Sequence, residues 1–359
     1  MHKKLKFAII LVCINAFLIF MMLIFLEIRY ENIHFQQQTE MGKQVSPYYY
    51  WSFYSSNGVP IGAHYGPLKL MAFPFVVYKN MSNQKEGTFS TNSLGFRGQE
   101  INKNALDRKR VILIGGSSAF GQGLKGNEET IAYQLGQILN AEVINAGVIG
   151  YGSGNELVYL LTELVDLKPD LVVTFDGWND YSQIGSSKRR QFIGSNGQEQ
   201  IDAHLELLAQ FTETSFLKRL TSIKYILFPS IVDRLNTVFK KIKNNGTEAD
   251  VDNVASVYAN NIIKIRKISN SFKFNFICVI QPQKITPGMK PTVDEYLGFR
   301  NKVKKHFTQE NVKYIDLSDD GFKNDFTANR FLDRMHLTAL GNRRAAEIIA
   351  QKIIAENLL

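Results

Sequence analysis

From Arg110 to the C-terminus, short apolar runs alternate with segments of helical period, and that alternation leaves few architectures open. The runs are "RVILIGG", "AEVINAG", "PDLVVTFDG", "KFNFICVIQP" and "KYIDLS", near residues 111, 143, 171, 276 and 314. Between them, "ETIAYQLGQIL", "NELVYLLTELVDL", "VASVYANNIIKIRKIS" and "VDEYLGFRNKVKKHF" carry apolar residues at helical spacing, and "ALGNRRAAEIIAQKIIAEN" closes the chain in the same way. Strands joined by helical crossovers pair in parallel and are covered on both faces. The expected domain is therefore α/β: a doubly wound, flavodoxin-like α/β/α three-layer fold around a five-stranded parallel sheet.

The N-terminus follows a different rule. Lys3, Lys4 and Lys6 precede Phe7 to Leu26, an uncharged apolar run of roughly 20 residues, long enough to cross a bilayer as a helix. The positive-inside rule keeps residues 1–6 cytoplasmic and exports everything after Glu27. "FLIFMMLIFLEIRY" offers no small-x-small cleavage site, so residues 7–26 read as an uncleaved transmembrane anchor rather than a signal peptide. Cys13 lies in mid-run after Val12, a poor context for lipid attachment, and it makes an intrachain disulfide with Cys278 unexpected. Residues 27–86 are irregular and aromatic, as in "SPYYYWSFYSSNGVPIGAHYGP", and are expected to be a membrane-proximal segment with short strands.

The domain proper is expected over 87–359, interrupted at about 186–250. That insertion contains the amphipathic, lysine-rich "SIVDRLNTVFKKIKNN". A lid, a basic surface touching anionic lipid, and a helix packed on the core all fit it. The net charge of +9 suits acidic glycans, anionic lipid and nucleic acid equally and so selects none of them. Nucleic acid is not among the expected partners.

The stretch "RVILIGGSSAFGQGLKG", Arg110 to Gly126, breaks from a strand into glycines and hydroxyls. Two readings compete. Gly121, Gly123 and Gly126 match G-x-G-x-x-G literally, but a dinucleotide fingerprint needs its first glycine directly after the strand, which ends near Gly115. The second strand ends in Asn and Ala rather than in an acid, and no Gly-Lys-Ser/Thr follows for a phosphate loop. The other reading makes Ser117 a nucleophile, which requires a base and oxyanion donors at other strand ends. "NAGVIGYGSGN" supplies the Gly150 backbone N–H, "DGWND" supplies the Asn179 amide, and "DRMHLTALG" supplies Asp333 and His336 three residues apart. That spacing lets a carboxylate orient an imidazole that reaches Ser117. Gly115 and Gly116 are expected to let the chain turn sharply, and Ser118 to cap the following helix. Asp180 is expected to tie neighbouring loops together, Asp176 has no assigned role, and His2, His34, His64, His204 and His306 read as surface residues. No acid and histidine cluster has metal-ligand spacing, so neither metal nor cofactor is expected.

"GGSSAFG", "NAGVIGYGS", "GWND" and "DRMHLT" resemble, in order, the successive blocks of the SGNH (GDSL-type) hydrolases. The resemblance spans Arg110 to the C-terminus outside the insertion. It implies that Ser117 is the nucleophile, that Asp333 and His336 complete a triad, and that the Ser117 backbone N–H, Gly150 and Asn179 form the oxyanion hole. "TNSLGFRGQEI" resembles a lead-in of membrane-anchored bacterial members. One departure stands out: Gly116 occupies the place of the aspartate in the usual Gly-Asp-Ser. The implied protein is a membrane-anchored, extracytoplasmic serine esterase or O-acyltransferase acting on ester-linked acyl groups. Location and resemblance together suggest the O-acetyl groups of an envelope polysaccharide, with lipid esters as the rival substrate. A catalytically silent glycan-binding domain is the alternative, favoured by Gly116 and the insertion.

Overall fold

The computed structural model describes residues 14–15, 17–22, 24–25, 51–54, 60–61, 68–86, 89–101, 108–182, 248–284, 293–320, 322 and 329–359. The insertion, Cys13 and four of the expected surface histidines (His2, His34, His64 and His204) lie outside these, apart from residues 248–250 at the insertion's end. The chain divides into two compact units, Met1–Gln44 with Leu205–Asn244, and Val45–His204 with Asn245–Leu359. In the first unit the described positions between 14 and 25 are helical, with Phe17, Ile19 and Phe25 more than half exposed. Among the described residues no helix is long and apolar enough to cross a membrane, and the expected span 7–26 falls partly outside them.

Among the described residues the second unit holds three sheets. Strands β1 (Trp51–Tyr54), β2 (Pro60–Ile61), β3 (Leu68–Phe73) and β4 (Val77–Asn80) form a small mixed sheet in the order β2-β1-β3-β4. Strands β5 (Lys85–Glu86) and β6 (Phe89–Ser90) pair antiparallel. The central sheet comprises β7 (Arg110–Gly115), β8 (Glu142–Asn145), β9 (Leu171–Asp176), β10 (Asn275–Ile280) and β11 (Tyr314–Asp316), ordered β11-β10-β9-β7-β8 with every pairing parallel. In chain order these strands run 2-1-3-4-5, the flavodoxin-like doubly wound order. The α-helices described in this unit are α1 (Ser117–Phe120), α2 (Ile131–Leu139), α3 (Ser153–Thr162), α4 (Trp178–Tyr181), α5 (Glu248–Phe272), α6 (Val293–Gln309), α7 (Leu317–Asp320) and α8 (Ala339–Ala355).

The three layers follow from the two-residue period of a strand. Val111 and Leu113 of β7 join one apolar cluster with Leu135 of α2 and Ile349 of α8. Ile112 and Ile114 join the other, with Leu160 of α3, Tyr258 of α5 and Phe299 of α6. All four β7 side chains are 0% exposed, each removal from water stabilising the fold by about 1.5–3 kcal/mol. Because β7 lies between β8 and β9, the chain leaves β7 in one direction and reaches β9 on the other side. That reversal opens a crevice beyond the C-terminal ends of β7 and β9.

Part of the stretch expected to be membrane-proximal belongs to this core. Leu68, Leu70, Val76 and Tyr78 share the cluster of Ile112 and Ile114. The Tyr78 hydroxyl donates to the Ile149 carbonyl at 2.6 Å, and the Asn80 amide to that of Gly147 at 2.9 Å. The β3–β4 hairpin thus braces the loop after β8.

Candidate active site

The crevice at β7 and β9 is where the expected residues meet. Ser117 opens α1 two residues beyond the last residue of β7 and is 8% exposed. Its Oγ lies 2.7 Å from His336 Nε2, and His336 Nδ1 lies 2.7 Å from Asp333 Oδ2. A carboxylate only accepts, so the tautomer that fits places the proton on Nδ1 and leaves Nε2 to accept from the Ser117 hydroxyl.

The loop carrying His336 is held locally. Leu332 N–H donates to the His336 carbonyl at 2.8 Å, Thr338 N–H donates to that of Arg330 at 3.0 Å, and Phe331 bridges Leu337 antiparallel. Asp333 Oδ1 accepts from the Met335 and His336 backbone N–H groups, both at 2.8 Å. Thr338 then caps α8, its Oγ1 accepting from Gly341 N–H at 3.2 Å. A side chain at Gly341 would meet the Arg330 carbonyl oxygen at 2.2 Å, so glycine is what allows α8 to start against this loop.

Asn179 sits on α4 directly after β9, its Nδ2 donating to the Tyr151 carbonyl at 2.7 Å. Gly150, just before Tyr151, has φ +79°, a conformation that favours glycine. The structure thus brings Ser117, the 150–151 turn and Asn179 to one place. The two glycines before Ser117 act through space rather than through turning. A Cβ on Gly115 would stand 2.3 Å from the Phe175 carbonyl oxygen. One on Gly116 would stand 2.5 Å from Asn179 Nδ2, while the Gly116 φ of −82° is open to any residue.

Ser118 does more than a capping residue would. Its hydroxyl donates to the Met335 carbonyl at 3.0 Å and accepts from Gln281 Nε2 at 3.3 Å, tying the turn after β7 to the loop of His336. Asp180 links loops as expected, accepting from Ser153 N–H at 3.0 Å and from Ser153 Oγ at 2.6 Å. Behind it lie Asp176 and Glu156, at 3% and 0% exposure. Asp176 accepts from the Tyr258 hydroxyl, while neither Glu156 oxygen receives a hydrogen bond from a donor among the described residues. Burial, reinforced by the neighbouring Asp176 charge, pushes Glu156 well above the carboxylate range. Burial raises Asp176 as well and brings Asp180 up to about 7. With carboxyls this close and this buried, at least one keeps its proton.

The loop after α1 answers the phosphate reading. Gly121 and Gly123 adopt φ of 86° and 87°, and the loop turns its carbonyls inward onto Arg97. The guanidinium donates to the carbonyls of Gly121 at 2.6 Å, Gly126 at 3.0 Å and Leu124 at 3.3 Å, and to Asn127 Oδ1 at 3.2 Å. It also lies over the Phe89 and Phe120 rings. A phosphate cradle must present N–H groups, so a loop that wraps a cation with carbonyls is the opposite device. Arg97 belongs to "TNSLGFRGQEI", a stretch the sequence singled out without giving this residue a role. Trp178, next to Asn179, is half-buried with the Arg334 guanidinium 5.3 Å from its ring centroid.

A nearly buried serine hydroxyl, relayed through an imidazole to a carboxylate at the switch point of a parallel sheet, defines the class as serine hydrolase. Residues 113–344 match the GDSL-like Lipase/Acylhydrolase family, and the chain belongs to it as an ester-hydrolysing serine hydrolase. Solved structures similar to it include a lipase/acylhydrolase from Enterococcus faecalis, at 17% identity and TM-score 0.42 over 69% of this chain and 96% of that one. Another is a catalytic mutant of an acetylxylan esterase from Geobacillus stearothermophilus, at 13% identity and TM-score 0.42 over 71% and 96%. The acetyl xylan esterase AlAXEase is similar at 16% identity and TM-score 0.41 over 68% and 99%. No curated protein matches the sequence.

Proposed function

We propose that this chain is a membrane-anchored, extracytoplasmic esterase or O-acyltransferase working through Ser117, His336 and Asp333. The observation that carries the reading is the position of His336, with one nitrogen 2.7 Å from Ser117 Oγ and the other 2.7 Å from Asp333 Oδ2. His336 takes the proton as Ser117 Oγ bonds to the ester carbonyl carbon, then gives it to the departing alcohol. The Ser117 and Gly150 backbone N–H groups and the Asn179 amide stabilise the oxyanion, and removing one such donor costs about 10²–10³-fold. Water releases the acyl group in an esterase, and a sugar hydroxyl does so in a transferase.

Phe7 to Leu26 anchors the chain, a reading supported by the uncharged run behind three lysines and by the exposed apolar side chains at its described helical positions. O-acetyl groups of an envelope polysaccharide are the proposed substrate. The Trp178 ring paired with the Arg334 guanidinium, on residues adjacent in sequence to Asn179 and Asp333, suits a sugar face and its polar groups better than an alkyl chain. The test is a fluorophosphonate probe and a chromogenic acetyl ester on the full-length protein in detergent. Labelling and turnover are expected in the wild type and lost in Ser117→Ala. Labelling that survives that substitution, or an inert but folded wild type, would sink the proposal.

A further inference from the structure

The turn before Ser117 departs from Gly-Asp-Ser at Gly116, and the surroundings of that residue give the departure a physical meaning. The Gly116 backbone is extended, with φ −82° and ψ −151°, so conformation does not demand glycine. Space does. A Cβ at this position would lie 2.5 Å from Asn179 Nδ2 and 2.9 Å from the Tyr151 carbonyl oxygen, where ordinary contact begins near 3.4 Å.

Of these two neighbours, Tyr151 cannot give way. It is 0% exposed, its ring packs edge-on against Tyr78 and Tyr159 at centroid distances of 5.5 and 5.9 Å, and its hydroxyl donates to the Tyr78 carbonyl. Asn179 is only half-buried and its amide is the neighbour free to move, so in this chain a Cβ at residue 116 would push against that amide. That amide nitrogen carries two hydrogens. One is held by the Tyr151 carbonyl at 2.7 Å, and this bond aims the second.

We infer that Gly116 is a positioning residue: the space left by its missing side chain is what seats the Asn179 amide in the oxyanion hole. Restoring the family's aspartate would therefore disable the site instead of repairing it. The amide would be pushed off Tyr151, and a carboxylate would stand beside the forming oxyanion. This inference rests on the proposed role of Asn179.

The test uses full-length protein in detergent with p-nitrophenyl acetate, measuring kcat, KM and thermal unfolding. Gly116→Ala is expected to lower kcat about 10²-fold while KM stays within about three-fold, and Gly116→Asp to lose at least as much. In the double variant Gly116→Ala with Asn179→Ala, the amide that the methyl group would displace is already gone, and the contact that remains, with the Tyr151 carbonyl, involves no oxyanion donor. Its kcat should equal that of Asn179→Ala alone. This arm remains readable if Gly116→Ala alone fails to fold.

A Gly116→Ala enzyme at wild-type kcat would overturn the inference. So would a double variant slower than Asn179→Ala by the full single-substitution factor. A wild type that neither turns over nor is labelled at Ser117 brings down the hydrolytic reading, and this inference with it. Turnover that is equal in wild type and Gly116→Ala removes this inference alone.

Discussion

Two sets of carboxyls flank the switch point of this sheet, and their surroundings give them opposite characters. Asp333 is a quarter exposed and accepts three N–H donors, the backbone of Met335 and His336 at 2.8 Å and His336 Nδ1 at 2.7 Å. Glu156, Asp176 and Asp180 lie within 5% exposure, and burial raises all three. The three N–H groups that meet Asp333 favour an acceptor, and the group can orient an imidazole and balance its charge. In the interior set, carboxyls lie side by side, and at least one must keep its proton. An acid near a strand end is thus a tool for proton chemistry only where N–H donors surround it.

The sharpest way to break this comparison is to neutralise one acid from each set. Asp333→Asn should cost about 10⁴-fold in kcat with the fold intact, because the amide favours the wrong imidazole tautomer. Asp176→Asn touches no reacting atom and should change kcat by less than about ten-fold. Steady-state rates on an acetyl ester decide between them, and comparable losses would erase the distinction.

A buried cation extends the contrast. Arg97 satisfies the carbonyls of the loop behind the nucleophile, and removing it strands several buried acceptors. Arg97→Met should lower stability by about 3 kcal/mol in urea unfolding. A loss under about 1 kcal/mol would show that the loop holds itself.

The interior acids should be visible in the pH dependence of stability. Asp180 is held up to about 7 by burial, whereas in an unfolded chain an aspartate titrates near ~3.9. Between these values the folded state keeps a proton that the unfolded state has lost. Its contribution to stability is therefore complete below about pH 4 and is lost as pH rises through 7. Asp180→Asn should flatten that fall by an amount on the order of 2 kcal/mol, read from unfolding midpoints across the window. An unchanged slope would place the titration elsewhere.

The smallest effect is expected at Ser118, whose hydroxyl joins the turn of the nucleophile to the loop of His336. Ser118→Ala should cost about 1 kcal/mol of stability and a few-fold in kcat. A rate loss approaching that of Asp333→Asn would move Ser118 from the scaffold into the chemistry.

The sequence by itself determined whatever depends on neighbours along the chain. Strand and helix alternation could be read because periods of two and 3.6 residues are local, and all five central strands formed where the apolar runs lie. The Asp333 and His336 pairing could be read for the same reason, since both bonds from the Asp333 turn to His336 span three residues. Other features depended on where distant segments meet. Ser117 and His336 are 219 residues apart and Ser118 and Met335 are 217 apart, and only the 2-1-3-4-5 strand order brings them within bonding distance. Likewise, nothing local to Arg97 announces the loop it fills, and nothing in "AHYGPLKLMAF" announces that Leu68 and Leu70 join the core of Ile112. Gly116 shows the division most clearly. Its departure from the family pattern is plain in the sequence, but its meaning lies in the Asn179 amide from the end of β9, which occupies the volume a side chain would need.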